Sequence, residues 1–169
     1  MLKLYEKLNC TFTAEEKEEC FHLVRRLVDI NDETIRNGFH PIDDDIHNMD
    51  EEKNFFLKTA LISAVDLSLV YVDSQSERAT LEGQARVVED LLSSLIIADR
   101  STGAELLGRL MIMQGVVSIV KCERSDLLCY RLLCMLGQEY LTNKNIDAIL
   151  GAEYLGKFPK KENIADFLK

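Results

Sequence analysis

The chain has 169 residues, 47% of them apolar and 29% charged, with a formal net charge of −9; this balance belongs to a folded acidic protein and excludes a disordered or collagen-like polymer. A chain of this length buries roughly two thirds of its unfolded surface, so one domain folds without disulfides or a structural metal. The charge is uneven: six Lys or Arg face fourteen Asp or Glu in the first 52 residues, whereas the other 117 carry fourteen basic and fifteen acidic side chains. Such a field steers basic partners and repels nucleic acid and anionic membrane.

Five cysteines, Cys10, Cys20, Cys122, Cys129 and Cys134, form no C-x-x-C pair and read as reduced thiols. Met1 to Leu8 alternates charged and apolar side chains and lacks the apolar centre of a secretory signal. The longest apolar run, Leu106 to Val120, contains Arg109 and Gln114 and is shorter than the roughly 20 residues of a membrane span. The expected location is the cytosol, of the protein's own cell or of a host.

Proline occurs only at Pro41 and Pro159, and alternating β-branched runs are missing. The expected fold is therefore all-α: one domain of six or seven helices, with apolar central helices wrapped by amphipathic ones. Residues 1–52 form its acidic segment, 53–156 its helical core and 157–169 a short tail. Thr13 with Glu16 matches a capping box, and the helix it opens runs to about Arg36 before Asn37-Gly38, with Phe21, Val24, Leu27, Val28 and Ile35 as its apolar stripe. Phe39 to Asp50 reads as an acidic loop, and Asp50 as the N-cap of the next helix. From Glu51 to Tyr71 the pattern is apolar on nearly every side, which predicts a helix enclosed by neighbours.

Ser74-x-x-Glu77 is a second capping box, and the helix after it places Leu81, Ala85, Val88, Leu92, Leu95 and Ala98 on one face. Arg78, Glu82, Arg86 and Asp90 alternate in sign along its solvated side, each pair contributing about 0.2–0.5 kcal/mol. Thr102-x-x-Glu105 is a third capping box and opens the Ala104 to Lys121 helix, where Gly108 and Gly115 predict close approach of another helix. Glu123 to Leu141 reads as an amphipathic helix with Arg131, Gln138 and Glu139 on its polar side. A shorter helix from Asn143 to Leu155 is closed by Gly156 and Pro159, and Asn163 to Lys169 adds a final turn.

Chemistry-bearing patterns are few. Glu19-x-x-His22 and Asp44-x-x-His47 each set a carboxylate and an imidazole one turn apart, the spacing of di-iron helical bundles. Such a site draws further carboxylates from other helices, and the available donors, Glu82 and Glu89, belong to the solvated charge ladder. Surface histidines amid acids are the favoured reading, and no metal or other cofactor is expected. The run Asp43-Asp44-Asp45 fails as an EF-hand, since the required sixth-position glycine and twelfth-position glutamate are Asn48 and Asn54. Glu15-x-x-Glu18, Glu16-x-x-Glu19 and Glu123-x-x-Asp126 lie too far apart for the magnesium site of the all-helical nucleotide pyrophosphatases. Cys20 and His22, two apart on a helix, point away from one another and form no dyad. Cys122, Cys129 and Cys134 are too closely set for tetrahedral zinc and read mainly as small core residues, and Met111, Met113 and Met135 as core filler. Lys157, Lys160 and Lys161 are too few for nucleic-acid binding.

What remains is a non-enzymatic protein-binding module: an inhibitor, immunity factor or adaptor whose acidic segment docks a basic surface of another protein. Asp43, Asp44, Asp45, Asp50 and Glu51 are the expected charged contacts, with Phe39 and Ile42 as apolar anchors. The enzymatic alternative is a metal-dependent helical bundle using Glu19, His22, Asp44 and His47. The wrapped central helix also resembles, in architecture, a Bcl-2-like bundle that receives a partner helix in a groove, although the chain has no tryptophan and no Asn-Trp-Gly-Arg type motif. Groove binding predicts an apolar trough beside the Ala104 helix; electrostatic docking predicts binding that falls steeply with salt.

Overall fold

Thr13 starts the first helix as the capping box requires: its Oγ1 accepts the Glu16 N–H at 3.1 Å, and the Glu16 carboxylate accepts the Thr13 N–H at 2.8 Å. The computed structural model describes residues 12–39, 54–70 and 77–151. Among these residues it holds six α-helices and no strand: α1 (Ala14–Asn37), α2 (Phe55–Val70), α3 (Glu77–Ala98), α4 (Gly103–Val120), α5 (Ser125–Leu136) and α6 (Asn143–Leu150), with a 3-10 turn at Gln138–Tyr140 between α5 and α6. Gly38 and Gly151 follow α1 and α6 at φ of 75° and 85°, where an L side chain is strained.

Helix α4 is the centre of the fold. It packs against α1, α2, α3 and α5, and this explains a sequence that is apolar all round. Leu106, Met111, Ile112, Val116, Ile119 and Val120 are buried on its several sides. By length and composition α4 is the described helix apolar enough to cross a membrane; here 61% of it is buried against its neighbours. Close approach occurs at one of its two glycines. A Cβ on Gly115 would stand 2.8 Å from both Leu27 methyl carbons of α1, whereas one on Gly108 would meet nothing within 4 Å. Gly108 therefore carries the roughly 1 kcal/mol helix penalty of glycine without any packing reason among the described residues.

Several expectations are corrected. Helix α2 is not enclosed: Phe56, Leu57, Ala60, Leu61, Ala64 and Val65 are buried against α3 and α4, but Phe55 is 80% exposed. Asn54 caps it, with Oδ1 accepting the Leu57 N–H at 3.0 Å; Asp50 and the Glu51 start lie outside the described residues. On α1, Ile35 is 47% exposed, and the buried stripe continues instead through Asn31 and Thr34. On α3 the buried row is Ala85, Val88, Leu92 and Ile96, so Leu95 and Ala98 face outward, Leu95 being 37% exposed. Thr102 makes no side-chain cap, and the Glu105 carboxylate that a capping box would turn back to the Thr102 N–H pairs with Arg109 one turn on. The helix expected from Glu123 to Leu141 is shorter, and Gly137 at φ 124° separates it from the 3-10 turn. Helix α6 likewise ends at Leu150 and not at Leu155. Cys122 is not in the core; it is exposed in the α4–α5 link at φ 50°, and Cys134 is exposed as well.

A polar knot fixes that link. The fully buried Asn31 of α1 donates to the Glu123 carbonyl and to Ser125 Oγ, both at 2.8 Å, and Ser125 Oγ in turn donates to Asp32. Arg131 bridges Ser118 Oγ at 3.0 Å and Glu123 at 2.6 Å. These bonds tie α1, α4 and α5 together in a buried corner, a structural use of polar residues, although Asn31 Oδ1 and Glu123 Oε2 have no hydrogen-bond partner among the described residues.

Candidate functional site

At the end of the bundle where α4 begins, four elements leave an open trough of about 810 Å³. Helix α1 lines it with Glu16, Glu19, Cys20 and Leu23, whose spacing puts them on one face. The start of α2 supplies Asn54, Phe55, Phe56 and Thr59, and the end of α3 supplies Leu95 and the following Asp99. Helix α4 contributes Ala104, Glu105, Gly108, Arg109 and Ile112, again one face of its first turns. The bare Gly108 keeps the floor open, because any side chain there enters the trough.

Apolar side chains make the walls and acids the rim. Arg109 pairs with Asp99 and, at 2.9 Å, with Glu105, and its guanidinium lies 5.1 Å from the Phe56 ring centroid. Among the described residues that line the trough, Arg109 is the one cation and is engaged by two carboxylates, so Glu16 and Glu19 add a surplus of negative charge to that lining. Glu16 also serves the α1 cap, and Glu19 is exposed. The buried Cys20 is a poor nucleophile: burial, with the charges of Glu19 and Glu16, pushes its thiol above the ordinary value.

The sequence-predicted site residues are only partly within view. Phe39 is half-buried and packs against the chain's own core. Ile42, Asp43, Asp44, Asp45, Asp50 and Glu51 lie outside the described residues. Of the metal candidates, His22 is exposed and stands 3.7 Å from Glu18, its neighbour one turn back, while Glu19 belongs to the trough rim. Asp44 and His47 are again outside the described residues, among which no three His, Cys, Asp or Glu side chains gather as a metal set.

The trough itself was only half legible. Phe55-Phe56 at a helix start, Gly108 in an apolar helix and Arg109 inside an apolar run are its sequence traces. None of them tells which helix faces which. The exposed apolar row beside it, Val87, Leu91 and Leu95 of α3, was hidden because two apolar stripes share that helix and only one is buried. No protein-family model, no curated protein and no solved structure matches the chain.

Proposed function

We propose that the chain is a non-enzymatic protein-binding module, acting as an inhibitor or adaptor does, and that it takes an apolar, basic-flanked surface of a partner into the trough beside α4. The observation that carries this reading is the trough itself: an open site with walls from Leu23, Phe56, Leu95 and Ile112, a surplus of carboxylates at the rim and the 80% exposed Phe55 at its lip. Large aromatic and aliphatic anchors in a desolvated centre supply most binding energy at such surfaces, while rim charges select partners and speed encounter. The acidic bias of residues 1–52 acts in the same sense, since its long-range field attracts the same basic partners.

The test uses the full chain as bait in native lysate, beside Gly108→Phe and beside a triple change of Asp43, Asp44 and Asp45 to Asn. Open space at Gly108 means that the Phe variant folds with an unchanged or higher melting temperature. A partner held by the natural chain and by the triple variant but lost from Gly108→Phe supports the trough. A partner held equally by Gly108→Phe and lost from the triple variant moves the function to the acidic segment and contradicts the proposal.

A further inference from the structure

The trough does not end at its own wall. Leu95, which lines it, is the last member of a four-residue row on α3 formed by Gly83, Val87, Leu91 and Leu95. The three large members are all exposed, and a Cβ at Gly83 would meet nothing within 4 Å. Spacing of this kind is a helix ridge, and the surface that complements a ridge is the groove between the ridges of a second helix. The row climbs about 18 Å from Gly83 to Leu95 at the ordinary helical rise, so an occupant lying along it and entering the trough spans more than three turns. Both ends of this path are glycines without a neighbour among the described residues, Gly83 outside and Gly108 within. A glycine that weakens its helix and packs against nothing suits a place where a foreign backbone comes close.

Resting on the trough reading above, we infer that the occupant is a basic amphipathic helix of a partner protein, which runs from the trough along α3 over Leu95, Leu91 and Val87. Its basic character follows from the rim. Among the described lining residues, Glu16, Glu19, Asp99 and Glu105 face a single cation, Arg109, already held by two of them. A helical occupant follows from the four-residue ridge and from the described surface having no strand edge on which an extended peptide pairs.

The probe is a phage-displayed library of helix-forming peptides of about five turns, randomised at outward positions and selected on the full chain alone, whose winners are then titrated against Gly108→Phe and a Val87→Gln, Leu91→Gln double variant. The expected winners carry aliphatic or aromatic residues at helical spacing with a net positive charge. They bind the double variant at least tenfold more weakly, although its melting temperature is unchanged because both sites are exposed. Winners that are acidic or lack helical periodicity overturn the inference. Winners that lose affinity on Gly108→Phe but not on the double variant confine the occupant to the trough, which overturns the path along α3 and leaves the function standing. Equal binding to both variants removes the function as well. A dimer of the free chain in sedimentation velocity that the double variant dissolves makes a second copy the occupant and overturns the partner helix.

Discussion

Gly108 and Gly115 share one helix and opposite fates. At Gly108 the backbone is helical and the space beside it open, so Gly108→Ala removes glycine's entropic cost and is expected to raise stability by about 1 kcal/mol. At Gly115 the same change gains that propensity but drives a methyl group against the fully buried Leu27, and overpacking of that kind costs about 1–3 kcal/mol. Urea denaturation of the two variants should therefore move in opposite directions; a shift of the same sign in both contradicts the packing described. Cys129 gives a second test at this scale. Burial, aided by Asp126, pushes its thiol from 9.0 up to about 12. Above pH 9 the unfolded chain releases a proton that the folded chain keeps, so the stability tied to this thiol is complete below that pH and is lost as pH rises towards 12. The expected result is a urea midpoint that falls over this alkaline window and falls less in Cys129→Ala. Parallel curves for the two proteins exclude Cys129 as the source.

At the level of single helices, the two capping-box motifs at Thr13 and Thr102 separate local signals from tertiary ones, the Ser74 motif starting outside the described residues. Thr13 and Glu16 satisfy each other, whereas Glu105 is captured by Arg109, and Thr102 Oγ1 makes no cap. Thr13→Ala is accordingly expected to cost about 1 kcal/mol, as loss of a formed N-cap does, and Thr102→Ala less than about 0.5 kcal/mol. Equal losses in thermal or urea denaturation contradict this distinction. Helix existence was legible for the same reason that the Thr13 cap was: periodicity and caps are properties of neighbouring residues. Which stripe of α3 is buried was not. Leu95 and Ile96 are adjacent apolar residues, and the choice of Ile96 for the core is made by α4, far along the chain. The same holds for α2, whose uniform apolarity resembles that of α4, although among the described elements α2 packs mainly against α3 and α4 while α4 packs against four helices.

For the molecule as a whole, the all-α class and the central place of α4 could be read from composition, proline placement and the apolar run after Thr102. The trough could not, because it exists only where the starts of α1, α2 and α4 meet the end of α3, and no local pattern encodes that meeting. Charge was legible at coarse grain: the acidic first third contributes Glu16 and Glu19 to a rim that Asp99 and Glu105, from the nearly neutral remainder, complete.

The most direct test of the central claim, that the trough beside α4 is where a partner docks, is to titrate the full chain with a selected basic helical peptide and follow its backbone amide resonances. The account predicts saturable shifts concentrated at Cys20, Leu23, Leu95, Gly108 and Ile112, absent in Gly108→Phe. Shifts confined to α5 and α6, or to residues 40–53 alone, contradict it.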